Sequence, residues 1–200
     1  MSERQAPGVG EWPASVLDHG DPRWRRLHRI IDETSLLRGE FTLTSGRTSS
    51  YLFQLRQAML HPEGSWLVGD ILAEFMERHA IACVGGLEMG AVPMVTAAAC
   101  LSHHRNRPVK AFFIRKQAKD HGARERVNGH VGEGGEVLFI DDVTTTGGSI
   151  VRAIEGLAES HDCTVRWAFS ILDREEGARE NLAEAGIRLV SVFTTSDFAV

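Results

Sequence analysis

The sequence has no apolar run that approaches the ~18–20 residues needed to cross a bilayer. Its first residues, 1–5, also lack the basic and then apolar layout of a signal peptide. These two absences predict a cytoplasmic protein that does not associate with a membrane.

Cysteine is also scarce in this chain. Cys83, Cys100 and Cys163 are odd in number and far apart, so the sequence indicates neither a disulfide framework nor a zinc knuckle. Because the residues around them at 81–84 and 97–101 are apolar, we interpret the cysteines as buried thiols.

The charge balance argues against nucleic-acid binding. Lysine and arginine number 22 against 27 acidic side chains, which gives a formal net charge of -5, so an anion site must be local. The 200 residues, of which 42% are hydrophobic and 24% charged, suit one globular domain with a short appendage. Glycine and proline recur near the start, which predicts a loosely ordered tail over residues 1–20 and a single domain over residues 21–200.

Helices and strands are predicted to alternate along the domain. Residues 21–37 have apolar side chains at helical spacing, and residues 41–43 and 51–55 are typical of a hairpin around Ser45 and Gly46. The later predicted strands are residues 81–84, 109–114, 137–140, 164–172 and 187–193, and the later predicted helices are residues 67–76, 92–101, 150–160 and 175–185. Apolar strands separated by helices indicate an α/β fold with a doubly wound parallel sheet, in which ligands bind beyond the carboxyl ends of the strands.

The most informative segment, residues 137–149, joins a predicted strand to a predicted helix. Asp141 and Asp142 are adjacent at the strand's end, and paired carboxylates need hydroxyl groups, a metal ion or water as partners. The residues after them are small, hydroxylated or glycine, which lets N–H and hydroxyl groups surround a phosphate at a helix N-terminus. They are Thr144, Thr145, Thr146, Gly147, Gly148 and Ser149. The combination fits a sugar phosphate, and the alternative is a well-capped turn.

Residues 115–126 form a basic segment in an acidic chain, with five basic side chains against two acidic ones. Glycine recurs from there to residue 135, and core-forming residues are few. We therefore predict a mobile basic lid over a polyanion, with a solvated loop as the alternative.

A third loop, residues 85–90, also joins a strand to a helix and is equally compatible with an anion site and a tight turn. Two other phosphate loops are excluded. Ala91 and Val92 stand where a Walker A motif has lysine and serine or threonine, and no G-x-G-x-x-G follows a strand. ATP hydrolysis and dinucleotide binding therefore lose support.

Residues 140–149 resemble the phosphoribosyl pyrophosphate (PRPP) signature of type I phosphoribosyltransferases. Residues 41–47, 115–122 and 172–177 narrow this resemblance to the orotate phosphoribosyltransferase family, whose order of segments they keep. The resemblance implies a helix-and-hairpin hood over about residues 21–60, a core over about residues 64–200 and a flexible basic lid. It also implies transfer of a 5-phosphoribosyl group from PRPP to orotate, with release of pyrophosphate, in de novo pyrimidine (UMP) biosynthesis.

The same resemblance implies roles for the residues that match the family's motifs. Asp141 and Asp142 would hold the ribose hydroxyls, and Asp141 would lie near the Mg²⁺ that enters with PRPP, without a direct protein ligand to the metal. Val143 would also bind PRPP, and the 5'-phosphate of PRPP would be bound by Thr144, Thr145, Thr146, Gly147, Gly148 and Ser149. Pyrophosphate would be neutralised by Arg115, Lys116, Lys119 and His121, with Lys119 catalytic alongside the two aspartates. Orotate would contact Thr145 and Arg174, and a homodimer would share the lid residues across its interface.

Base specificity is the property that the resemblance leaves least determined. Many family members have lysine where Thr44 stands and aspartate where Gln54 stands. A phosphoribosyltransferase for another nucleobase and a non-catalytic PRPP-sensing regulator therefore remain alternatives. For Arg174, the alternative is a surface arginine paired with Glu175 or Glu176.

Overall fold

The computed structural model describes residues 15–42, 46, 48–116 and 126–200. The helices are α1 (Pro22–Thr34), α2 (Arg56–Leu60), α3 (Pro62–Arg78), α4 (Ala91–His104), α5 (Gly148–Ala158) and α6 (Ala178–Glu184). The strands are β1 (Leu36–Thr42), β2 (Thr48–Phe53), β3 (Cys83–Leu87), β4 (Lys110–Ile114), β5 (Val127–Gly129), β6 (Gly135–Thr144), β7 (Cys163–Asp173) and β8 (Arg188–Thr194). A short 3-10 helix, Thr195–Asp197, follows the last strand.

Six strands form the central sheet in the order β5-β4-β3-β6-β7-β8. All neighbouring pairs are parallel except β4 and β5, which are antiparallel. The predicted doubly wound α/β sheet is therefore confirmed, with one strand that was not predicted. β5 has only three residues, too few for a periodic apolar signal, and Gly129 lets it approach β4 because a Cβ there would lie 2.4 Å from the carbonyl oxygen of Ala111.

The sheet is covered on both faces, and β6 shows why its sequence is continuously apolar. Leu138 and Ile140 belong to the core cluster that includes residues of α1, α3 and α4. Val137 and Phe139 belong to the second cluster, which includes residues of α5 and α6. Since successive side chains of a strand point to opposite faces, a strand with helices on both sides needs apolar residues at every position.

The hairpin of β1 and β2 forms a separate antiparallel sheet of two strands. Its strands begin earlier than predicted, because α1 ends at Thr34 and Leu36 already pairs with Phe53. The ring of Phe53 lies 5.2 Å from that of Phe198, so the hairpin packs against the C-terminal segment.

The prediction of a loosely ordered tail is wrong for residues 15–17. Ser15 forms a parallel bridge with Ser191 of β8, the N–H of Val16 donates to the carbonyl oxygen of Ser191 at 2.8 Å, and Leu17 is buried. This short edge pairing has too little periodicity to stand out beside the glycine and proline residues around it. Residues 1–14 lie outside the described residues.

The interpretation of the cysteines as buried thiols is correct for one of the three. Cys83 is buried and Cys163 is half-buried, and burial raises the pKa of both thiols. Cys100 is exposed, because α4 turns other residues, including Ala97 and Ala98, toward the core.

Candidate active site

The two aspartates lie within β6 and not beyond its end. Asp141 pairs with Ser170 and Thr144 pairs with Asp173 of β7, so the strand continues past its apolar part. The chain then turns at Gly147, whose φ of +76° favours glycine, and α5 starts at Gly148. The predicted phosphate-binding residues therefore connect the carboxyl end of a central strand to the N-terminus of a helix.

The aspartate pair concentrates negative charge. The carboxylate of Asp141 accepts the N–H of Asp142 at 3.0 Å, and the carboxylate of Asp142 accepts the N–H of Val143 at 3.0 Å. Burial, followed by the charge of Asp142, raises the pKa of Asp141 to about 8, while the charge of Lys116 opposes that rise. A cation or a set of hydroxyl donors beside Asp141 would relieve this electrostatic cost.

The loop between β3 and α4 touches the aspartates. A Cβ atom at Gly90 would lie 2.2 Å from Oδ1 of Asp142 and 3.1 Å from Oδ1 of Asp141, so only glycine fits there without movement. Gly85 and Gly86 belong to β3 itself, where they pair with β4 and β6. The predicted loop over residues 85–90 is thus shorter than expected, and its part beyond the strand is residues 88–90.

These elements enclose a cavity of about 550 Å³. Its polar lining combines the carboxylates of Glu88, Asp141 and Asp142 with the cations Arg56 and Lys116. Val143 and Ser149, which the sequence predicted for PRPP, also line it, as do Leu52 and Phe53 of the hairpin. The cavity is large enough for a ligand of small-molecule size and offers both signs of charge.

Sequence reasoning missed two of these charged residues, Arg56 and Glu88. Arg56 is the first residue of α2, a helix of five residues that carries too short a pattern to be predicted. Glu88 lies inside the glycine-containing segment that was singled out, but an acidic residue gave no reason to place it beside an anion.

The loop after Thr144 is held by its neighbours. The carbonyl oxygen of Thr144 accepts the N–H of Arg174 at 2.9 Å, and that of Thr146 accepts Nδ2 of Asn181 at 2.9 Å. The hydroxyl of Thr144 is buried without a hydrogen-bond partner among the described residues. Thr145 is half-buried, and Thr146 and Ser149 are exposed, so hydroxyl groups remain accessible beside the start of α5.

Arg174 lies at the end of β7, next to this loop. Its guanidinium is 5.6 Å from the centre of the Tyr51 ring, and its Nη2 pairs with Oε1 of Glu176 at 3.0 Å. The ion pair with Glu176 that the alternative interpretation expected is therefore present. However, the side chain is only 17% exposed, and its Nε atom is buried without a hydrogen-bond partner among the described residues. Arg174 is therefore a largely buried arginine that contacts Glu176 and the Tyr51 ring, and its Nε atom can still donate a hydrogen bond.

Of the predicted lid, the structure describes the two ends. Arg115 and Lys116 follow β4, and Arg126 donates from Nε to the carbonyl oxygen of Arg115 at 3.1 Å and from Nη2 to that of Lys116 at 3.3 Å. Lys119 and His121 lie outside the described residues. Of these three cations, Lys116 lines the cavity, and Arg115 and Arg126 are joined to it through the backbone.

Within the described ranges, no group of three or more histidine, cysteine, aspartate or glutamate side chains is placed to hold a metal ion. In the same ranges, every helix is too short or too polar to span a membrane.

The chain is similar over most of its length to known enzymes, although no protein-family model matches it. It is 44% identical over 177 residues to the orotate phosphoribosyltransferase of Rhodopseudomonas palustris (strain BisB5), covering 86% of this chain and 94% of that protein. A crystal structure of Mycobacterium tuberculosis H37Rv orotate phosphoribosyltransferase with Fe(III) dicitrate superposes with a TM-score of 0.78 at 34% identity, covering 90% of this chain and all of the other. The same enzyme in complex with PRPP gives a TM-score of 0.75 at 31% identity, with the same coverage. These similarities confirm the resemblance found in the sequence, and the chain belongs to the orotate phosphoribosyltransferase family.

Proposed function

We propose that this chain transfers the 5-phosphoribosyl group of PRPP to N1 of orotate, giving orotidine 5'-monophosphate and pyrophosphate in de novo pyrimidine synthesis. The observation that carries the proposal is one cavity that joins the aspartate pair to the start of α5 and to Lys116. The M. tuberculosis relative with PRPP bound, similar over 90% of this chain, supports the same substrate here.

The parts of PRPP match the parts of the cavity by charge. The hydroxyl and N–H groups of residues 144–149, at the N-terminus of α5, suit the 5'-phosphate. The carboxylates of Asp141 and Asp142 suit the ribose hydroxyls, which donate hydrogen bonds. Arg115 and Lys116 suit the pyrophosphate, and Lys119 and His121 join them in this proposal on the strength of the family resemblance.

The reaction breaks the bond between C1 of the ribose and a pyrophosphate oxygen and forms the bond between C1 and N1 of orotate. The bond to pyrophosphate breaks largely first, so positive charge develops on the ribose and negative charge on the leaving group. In this proposal the aspartates face the growing positive charge, and the lid cations face the growing negative charge. Catalysis of this kind depends on position and electrostatics.

We assign magnesium to the site as part of the substrate. Mg²⁺ is bound in such sites by one or two carboxylates and by phosphate oxygens of the substrate, and Asp141 and Asp142 offer a carboxylate pair in the cavity. Of the two, Asp141 would lie near the ion, and a nearby cation would favour its charged form. When bound with PRPP, the ion would neutralise charge on the pyrophosphate.

Orotate is assigned to Thr145 and Arg174, and Arg174 lies beside Tyr51 of the hairpin. A guanidinium binds a carboxylate through two parallel hydrogen bonds, and Arg174 has a buried Nε donor without a hydrogen-bond partner in the described part of the chain. This feature favours a base that carries a carboxylate over adenine or hypoxanthine, which have none.

The proposal includes a homodimer in which Lys119 and His121 act at the partner's site. It is tested by mixing two inactive variants, Lys119→Ala and Asp141→Asn. If lid and aspartates come from different subunits, mixed dimers contain one intact site and activity reappears. Activity that stays absent after subunit exchange, verified by mass spectrometry, would contradict sharing. The cytoplasmic location stays a prediction from the sequence.

The function is tested by the loss of orotate absorbance when protein, PRPP, Mg²⁺ and orotate are mixed, with an EDTA control. Decay that requires Mg²⁺ is the expected result. Turnover with adenine or hypoxanthine but not orotate would favour the alternative base specificity. PRPP binding without turnover of any base would favour the sensing regulator.

A further inference from the structure

A third carboxylate lies in the cavity that the proposed function assigns to PRPP. Glu88 follows β3, and its side chain is 23% exposed among the residues that line the cavity. Its charge has the same sign as pyrophosphate, so by charge alone it would weaken the binding of that ligand. The proposed reaction assigns no role to Glu88.

Among the described residues, the hydrogen bonds and the ion pair of Glu88 are with the end of β4 and the two residues that follow it. Its Oε1 accepts the backbone N–H of Lys116 at 3.0 Å, and its Oε2 lies 3.9 Å from Nε of Arg115. That Nε is buried and makes no hydrogen bond within the described residues. The backbone N–H of Glu88 itself donates to the carbonyl oxygen of Ile114 at 2.9 Å, which fixes the loop against the end of β4.

Arg126 binds the backbone of the same two residues, Arg115 and Lys116. Its guanidinium donates to the carbonyl oxygens of Arg115 and Lys116, and its own carbonyl oxygen accepts the N–H of Arg115 at 2.9 Å. The remaining backbone donor of the pair, the N–H of Lys116, is the one that Glu88 binds. The backbone direction at Lys116 is therefore set from the cavity side by Glu88.

We propose that Glu88 is a positioning residue for the pyrophosphate side of the site. It holds the backbone of Lys116 at the edge of the cavity and keeps Arg115 next to it, so that both cations stay on that side of the site. The inference rests on the proposed function for the identity of the ligand. The lining of the cavity supports it, because Lys116 lies on the same cavity as Asp141 and Asp142.

The direction of the mutational effect separates positioning from repulsion. If Glu88 merely adds negative charge, its removal tightens the binding of pyrophosphate. If it positions the two cations, its removal weakens that binding despite the lost repulsion. Glu88→Gln keeps an oxygen that accepts the N–H of Lys116, whereas Glu88→Ala loses it.

The experiment is calorimetric titration of inorganic pyrophosphate with Mg²⁺ into the wild-type protein, Glu88→Ala and Glu88→Gln. We expect Glu88→Ala to weaken binding about tenfold, the scale of one lost hydrogen bond to a charged group, and Glu88→Gln to restore most of it. In turnover, KM for PRPP should rise with Glu88→Ala while KM for orotate stays within twofold. Glu155→Ala, which removes an exposed carboxylate from α5, is the matched control.

Two results would overturn the inference. One is pyrophosphate binding by Glu88→Ala that equals or exceeds that of the wild type, and the other is a Glu88→Gln variant as weak as Glu88→Ala. Thermal melts of both variants check that the fold is kept. Because the titration needs no turnover, a wild-type protein that binds pyrophosphate but leaves orotate unchanged would contradict the proposed function alone.

Discussion

Two connections from a strand to a helix meet at the cavity, one after β6 and one after β3, and they differ in how much they depend on functional groups and on space. The first presents side chains, the carboxylates of Asp141 and Asp142 and the hydroxyls that follow. The second contributes one charged side chain, Glu88, and depends on the absence of a side chain at Gly90. A Cβ atom at Gly90 would lie 2.2 Å from Oδ1 of Asp142.

The difference shows that a binding loop is defined as much by excluded atoms as by functional groups. The connection after β6 is recognisable in the sequence because its carboxylate, hydroxyl and glycine residues indicate its chemistry directly. The role of the connection after β3 is visible only in the folded protein, where Gly90 lets the loop approach the aspartates. Substitutions in the two connections should therefore reduce activity for different reasons.

The largest effect is expected from Asp141→Asn in the first connection. The variant keeps the shape of the side chain but loses the charge that faces the ribose and the Mg²⁺ carried by PRPP. We expect turnover to fall by about 100-fold or more, the scale on which one preorganised electrostatic contact acts. Steady-state kinetics at saturating orotate measure it, and a rate within threefold of the wild type would remove Asp141 from the mechanism.

A smaller loss is expected from Arg174→Ala, whose backbone N–H is held by the carbonyl oxygen of Thr144 in the first connection. Losing charge-assisted hydrogen bonds to a carboxylate costs about 1.5–3 kcal/mol, which corresponds to roughly 10- to 150-fold weaker binding of orotate. KM for PRPP should change little. The control is Arg78→Ala, an exposed arginine at the end of α3, and normal orotate affinity of Arg174→Ala would reject the assignment.

The second connection is probed by Gly90→Ala, which adds one carbon atom where the space is already occupied. Displacing Asp142 to make room should cost about 1–3 kcal/mol and reduce turnover without removing any functional group. Gly156→Ala is the matched control, because nothing lies within 4 Å of a Cβ there and the residue is inside α5. That control should gain about 0.5–1 kcal/mol in stability and keep full activity. Equal behaviour of the two variants would contradict the role given to space at Gly90.

The same contrast explains how much the sequence predicted. The strands that became β3, β4, β6, β7 and β8 were recognisable, because burial on both faces makes them continuously apolar. The last four residues of β6 were not, since Asp141 and Asp142 belong to the strand only through pairing with β7. Polar residues in a strand give no apolar signal, so its end was placed at residue 140 and not at Thr144.

For the site, the residue types of the first connection predicted Asp141, Asp142 and Ser149 beside one cavity with Lys116. Arg56 and Glu88 were missed because tertiary packing alone brings α2 and the loop after β3 to the same cavity. Glu88 did have a signal in the sequence, a carboxylate in a loop that otherwise suited an anion. Such a mismatch in charge indicates a residue whose partner is another side chain or the backbone, as its contact with Lys116 shows.

The last prediction concerns the stability of the ligand-free protein and not turnover, and its dependence on pH would sharpen the comparison by isolating the charge of the first connection. Burial and Asp142 raise the pKa of Asp141 from 3.8 to about 8, so between these values the folded state binds a proton that the unfolded state has released. The unfolding free energy of the ligand-free protein should therefore fall as pH rises through this interval. Asp141→Asn removes the titrating group and should flatten that slope, and at pH 8 it should be more stable than the wild type. Gly90→Ala, which changes space and not charge, should keep the wild-type slope at lower overall stability. Chemical denaturation of the three proteins between pH 5 and 8 measures this slope. Parallel curves for the wild type and Asp141→Asn would show that folding does not raise the pKa of Asp141.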